Sequence, residues 1–124
     1  AMSITQVTIG TGSVKSPAGP GGPQIELLLG AAEDAPVGLL HVTIPPGGGM
    51  PAHAHGPSTV VLVAQDGEAT LRDADDGDRP YTLTPGTVTT VPIGRRVSLE
   101  NGGSTAAKLV IVVSPPDFAR AITS

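Results

Sequence analysis

His53 and His55 have the types and spacing in this sequence best suited to chemistry. One residue separates them, so on an extended segment both rings project to the same side. Neutral imidazole is a common ligand for Zn, Fe, Ni, Mn and Cu. It also moves protons without a metal, because its unperturbed pKa is about 6.5. Two neighbouring imidazoles resist double protonation, since like charges repel, so one neutral and one protonated ring can coexist near neutral pH. Two protein ligands hold a divalent metal weakly unless another group joins. His41 is the candidate for a third ligand; turned outward, it is a surface residue. Asp66 and Glu68 fall at a turn beyond the following strand, too far to take part. Ser58 lies near His55 but carries no signature of a nucleophile elbow. Arg72, Arg95 and Arg96 are the remaining polar candidates; Arg95 lies at a turn and reads first as a solvated arginine, with holding a carboxylate in its planar fork as the alternative.

The elements that must position these residues read as all-β. Short β-branched runs recur between Gly, Pro, Asp and Asn. The pattern predicts strands over Ile4–Ile9, Gln24–Leu29 and Gly38–Ile44, the last with Leu40, Val42 and Ile44 on one face and Leu39, His41 and Thr43 on the other. Residues 11–23 form a flexible Gly/Pro-rich connection, and Pro45–Pro51 breaks the third strand. Thr59–Ala64 is almost wholly apolar, as expected for a strand covered on both faces. Glu68–Arg72 and Tyr81–Thr84 flank the acidic run 73–78, which reads as a solvated hairpin turn; it lacks the Glu that a calcium-binding loop needs after its Gly. Strands over Thr87–Val91, Arg96–Glu100 and Lys108–Val113 complete the set, with Asn101-Gly102-Gly103 as a turn between the last two. Pro115-Pro116 ends the sheet, and Asp117–Ile122 is predicted as one short helix with Phe118 and Ile122 facing inward. The fold class is a small antiparallel jelly-roll β-barrel.

Bulk properties bound the function. At 124 residues the chain is one domain, 1–124, large enough for one real core. A formal net charge of −4 has the wrong sign for a phosphate-backbone binder, so no nucleic acid is expected. The absence of cysteine excludes disulfides and thiolate metal sites. No basic segment followed by an apolar run opens the sequence, and the longest apolar stretch, Leu109–Val113, is far short of a membrane span. The expectation is a soluble cytoplasmic protein without a membrane partner. Tyr81 and Phe118 are the only aromatic residues in the sequence, which argues against a site that stacks sugars or bases.

Two ordered motifs carry a resemblance. The first runs Gly47-x5-His53-x-His55 and on to Gly67 (47–67); the second runs Gly86-x5-Pro92-x-Gly94-x2-Val97-x3-Asn101 (86–101). Together they resemble the cupin superfamily, specifically small single-domain cupins with a conserved barrel. The resemblance spans about Gly38 to Val113. Its glycines sit where strands must turn tightly, and Pro92 fixes the chain entering a turn. The resemblance implies a barrel with a metal held by His53, His55, a Glu and a third His. In this sequence the Glu position falls on Val60, or on Thr59 under the shorter spacing, and the third His position falls on Val97. Valine cannot ligate, so the implied ligand set is degenerate. With Val97 turned to the cavity, Arg96 faces out.

These readings converge on a small-molecule-binding barrel with an apolar cavity and a His53/His55 pair. Its expected ligand contacts are His53, His55, Val60, Val97 and His41. The cofactor is one divalent transition metal (Zn, Fe, Ni, Mn or Cu) on His53 and His55 with His41 as third ligand, or none. The alternative is a cupin enzyme acting on a small metabolite with His53 and His55 as catalytic candidates. It would be a metal-dependent oxygenase with a reduced ligand set, or a metal-free isomerase, cyclase or dehydratase. A pure scaffold is disfavoured by the retained histidine pair. Edge-strand logic adds a homodimer, exchanged through the first strand.

Overall fold

A computed structural model describes residues 3–124 of the chain. Ten strands and one helix follow in order: β1 Val14–Lys15, β2 Gln24–Leu29, β3 Gly38–Ile44, β4 Gly49–His53, β5 Thr59–Asp66, β6 Ala69–Asp73, β7 Arg79–Leu83, β8 Val88–Val91, β9 Val97–Glu100, β10 Ala107–Ser114 and α1 Asp117–Ile122. They form a six-stranded sheet, β1-β2-β3-β10-β5-β8, and a four-stranded sheet, β4-β9-β6-β7. The strand pairs are antiparallel. The jelly-roll class expected from the sequence is therefore the observed one.

The core lies between the sheets and follows from period-two patterning. In β3, Leu40, Val42 and Ile44 are buried, and their register partners in β10 place Leu109 on Val42 and Ile111 on Leu40. Across β10, Val60 and Leu62 of β5 pair with Val113 and Ile111. Leu71, Val97 and partly buried Leu99 close the layer from the smaller sheet. Each large aliphatic side chain so buried contributes about 1.5–3 kcal/mol of transfer free energy. With so few aromatics, the core depends on many aliphatics in register. On β5, Val61 and Val63 are half-buried, so that strand is sealed on its inner face and only partly covered on its outer one.

The two motifs are joined by main-chain bonds. The Gly47 amide donates to the Asn101 carbonyl at 2.8 Å, and the Asn101 amide donates to the Gly48 carbonyl at 2.9 Å. The Asn101 side chain is buried and donates to the carbonyls of Ile44 (2.9 Å) and Thr105 (2.8 Å), while its oxygen accepts the Gly103 amide (2.9 Å). Gly67 has φ 65°, and a Cβ there would run into the Ala106 carbonyl.

Three sequence expectations change. Ile4–Ile9 is not a strand: Ile4 is 100% exposed, and Val7 and Ile9 are exposed beside it. The buried Glu26 carboxylate draws the amides of Gly10 (2.9 Å) and Gly12 (2.6 Å), so the chain docks through a carboxylate rather than a strand ladder. A two-residue strand, β1, appears instead inside the 11–23 segment expected to be irregular. Second, the expected break at Pro45–Pro51 contains the start of β4. Pro51 is tolerated because β4 is an edge strand, where a missing N–H breaks no ladder, and its register shifts between Met50 and His53. Third, Asn101–Gly103 does not close a hairpin, since β9 and β10 belong to different sheets. The 73–78 hairpin and α1 stand where the sequence placed them. No helix among the described residues is long and apolar enough to cross a membrane.

Candidate functional site

His53 ends β4, and His55 lies two residues on, in the connection to β5. The pairing of β4 with β9 sets His53 opposite Val97. The His53 Nδ1 lies 2.9 Å from the Pro51 carbonyl. A carbonyl only accepts, so Nδ1 carries the proton, and in the neutral ring Nε2 holds the lone pair. His55 is 7% exposed, and its Nδ1 is buried with no hydrogen-bond partner, alone in that respect among the side chains of the described residues. Burial pulls the His55 pKa down to about 4, and the neighbouring His53 adds a smaller push in the same direction. His55 is therefore a neutral imidazole at neutral pH.

The two rings meet edge-on with centroids 4.8 Å apart. A third ring completes the group. Phe118 of α1 stacks near-parallel on His53 at 5.9 Å and stands edge-on to His55 at 4.7 Å. Scarcity of aromatics thus did not exclude an aromatic contact at the site. The helix is tied down by Ser58, fully buried, whose Oγ donates to the Pro115 carbonyl at 2.6 Å and accepts the Phe118 amide at 3.4 Å. Ser58 acts as an anchor for α1. Nothing in its sequence context signalled that role, because its partners lie almost sixty positions away. Phe118 was legible as inward-facing, but its contact with the pair was not.

Behind the three rings lies a cavity of about 30 Å³, lined by His53, His55, Val60, Val97, Phe118 and Ile122 together with core aliphatics such as Leu62 and Leu71. Val60 and Val97 both line it and are almost fully buried. Thr59, the alternative Glu position, is the partly exposed neighbour on the opposite pleat. His41 does not join the group. It alternates with buried Leu40 and Val42, so it lies on the outer face of β3, where it borders a separate hollow of about 270 Å³ with Glu26 and Lys108. Its expected places as third ligand and as cavity contact are both corrected by this orientation. Among the described residues no group of three or more His, Cys, Asp or Glu could hold a metal. The donor set agrees: two imidazoles, one with Nδ1 committed to Pro51, face valines where further ligands would stand. These residues do not fit a resident metal of the kind the fold implies.

Arg95 holds a carboxylate, but an internal one. Its Nε and Nη2 grip Asp73 at 2.8 and 2.6 Å. Hydrogen bonds from Arg95 keep the Asp73 carboxyl below its usual range against the opposing effect of burial, and the Asp75 amide helps. The pair borders an open cleft of about 350 Å³ between β7 and β8, whose lining shares Leu71 and Val97 with the inner cavity. Arg96 is exposed, and Arg72 makes a surface pair with Glu100 at 2.8 Å.

A two-sheet antiparallel barrel with a short closing helix and an inward histidine pair at one end defines a double-layered β-barrel protein of the jelly-roll type. The family model for the cupin domain matches residues 40–113, more than half of the chain, and the chain belongs to that family. No curated protein matches the sequence. Solved structures do. The polyketide cyclase RemF from Streptomyces resistomycificus superposes with TM-score 0.76 at 17% identity, covering 90% of this chain and 80% of that one. The cupin domain of Cnp3 from Schizosaccharomyces pombe gives 0.71 at 15% identity, covering 88% and 72%. A cupin 2 conserved barrel domain protein from Salinispora arenicola gives 0.69 at 17% identity, covering 98% and 96%. At these identities the likeness is one of fold.

Proposed function

We propose that this chain is a small-molecule-binding cupin barrel in which His53 and His55 are the polar contacts of an otherwise apolar site. The observation that carries the reading is the buried, unpartnered Nδ1 of His55 at the edge of the cavity. An unsatisfied buried polar atom costs about 1–3 kcal/mol, a burden a ligand hydroxyl or amide can relieve. Val60 and Val97 supply apolar walls in place of ligands. Native mass spectrometry and thermal-shift screening against a metabolite library test the proposal on wild type and on the His53→Ala/His55→Ala variant. The expected result is a bound or stabilising molecule that the double variant loses. Identical responses from both proteins sink it.

A second reading, a metal-free isomerase, cyclase or dehydratase, is supported by His53. With Nδ1–H fixed on Pro51, its Nε2 is a defined proton acceptor beside a neutral His55. Turnover of the identified ligand, lost in His53→Gln with binding retained, separates catalysis from binding. The proposal also takes the chain as a homodimer, now through the exposed apolar residues Ile4, Val7 and Ile9 rather than an exchanged strand. A monomer by light scattering at micromolar concentration removes that part.

A further inference from the structure

A cavity of about 30 Å³ holds roughly one water and no metabolite. If the barrel binds a small molecule, something now inside the site must leave. The packing identifies what. The Phe118 ring packs against both imidazoles, parallel to His53 and edge-on to His55, the geometries an aromatic ligand adopts between two rings. It is carried by a six-residue helix that lacks a side-chain N-cap bond and is fastened to the barrel by a few side-chain bonds, from the Phe118 amide to Ser58 and from Arg120 to the carbonyls of Gly30 and Ala32. The wall strands of the cavity, in contrast, are held by long ladders.

We propose that Phe118 is a built-in occupant of the ligand position, and that the ligand is a single hydroxylated aromatic ring of about the size of phenol that displaces it. This rests on the small-molecule reading above and specifies its ligand class. Size sets the first limit. An apolar chamber on the order of 150 Å³ accommodates benzene; vacating one phenyl ring beside the existing space gives a chamber of that order, enough for one ring. Chemistry sets the second. The walls are aliphatic, so the ligand is neutral, and the orphan His55 Nδ1 requires one hydrogen-bonding group. A hydroxyl both donates and accepts, so it satisfies either tautomer of His55. The wild type then binds with an affinity reduced by the fraction of molecules whose plug is out.

Calorimetric titration with phenol and with benzene tests this on wild type, Phe118→Ala and Phe118→Ala/His55→Leu. Removing the plug is expected to tighten phenol binding at least about tenfold, the signature of a site open less than about a tenth of the time. Phe118→Ala is expected to prefer phenol over benzene by about fivefold or more, a preference abolished by His55→Leu while benzene binding persists. Generic cavity creation gives benzene binding without that preference, and this result overturns the inference. So does phenol binding no tighter in Phe118→Ala than in wild type. Should Phe118→Ala not fold, hydrogen exchange of residues 117–124 in wild type decides: faster exchange with saturating phenol supports displacement, and unchanged exchange refutes it. A His-dependent ligand of wild type that leaves α1 protected defeats the plug while preserving the binding reading. A wild type indifferent to His53 and His55 defeats both.

Discussion

Acid should destabilise this protein through His55 before it reaches the carboxylates. In the folded chain His55 resists protonation down to about pH 4, whereas in the unfolded chain it takes a proton near 6.5. Between those values the unfolded state binds more protons, so stability rises with pH and falls on acidification. Integrating the two titrations from pH 7 to pH 5 gives a loss of about 2 kcal/mol, an upper value because solvent on the half-exposed His53 side screens the effect. Glu26 and Asp73 are held below their usual range by the Gly10 amide and by Arg95 respectively, so their contributions begin to be lost near the unfolded carboxylate pKa of about 4 to 4.5 and lie mostly below this window. Urea denaturation followed by far-UV circular dichroism suits a chain without Trp. The expected wild-type midpoint falls by roughly 1 M between pH 7 and pH 5, for a slope of about 1–3 kcal/mol per molar. His55→Leu, which places an aliphatic side chain among aliphatics, should remove most of that dependence. Equal midpoints for wild type at the two pH values, or an undiminished shift in the variant, refute the account of His55 as a buried neutral ring.

Metal binding should be restorable by two substitutions. Val97→His adds an imidazole directly opposite His53, and Val60→Glu adds a carboxylate from the adjoining cavity wall. The double variant should bind Zn²⁺ or Ni²⁺ markedly tighter than wild type by calorimetry, because it completes the four-ligand set a tetrahedral site takes; equal affinities contradict the placement of the two valines. Asn101→Ala should cost about 3 kcal/mol in urea denaturation, three side-chain hydrogen bonds at about 1 kcal/mol each. A loss under about 1 kcal/mol refutes its role in joining the sheets.

The fold was legible because its signals are local. Alternation in β3 and the β6–β7 turn depend on neighbours a few residues apart, and the motif glycines mark backbone conformations such as φ 94° at Gly86 that side chains avoid. Ile4–Ile9 misled because alternation alone does not state whether a sheet edge is free to receive it. The decisive partner there was the carboxylate of Glu26, in another strand. The site was half legible. The spacing of His53 and His55 gave their common direction, and Val60 and Val97 line the cavity at the motif positions. The orientation of His41 was open in one dimension and is settled only by which face of β3 meets the core. The contacts of Phe118 with the pair and of Ser58 with α1 join residues far apart in sequence, which periodicity cannot reach.

Leu71 and Val97 face the inner cavity on one side and the open cleft on the other. On the cleft side, the barrier between bulk solvent and the histidine chamber is therefore one side chain thick. Its tightness sets how fast water, oxygen or a small neutral solute crosses by that route. Leu71 and Val97 make that wall apolar, so neither side chain offers a polar group to relay water across it. A glycine at position 97 would merge chamber and cleft into a lateral channel through the barrel wall. Val97 on β9 thus forms part of the wall between chamber and cleft as well as standing at one of the two missing donor positions.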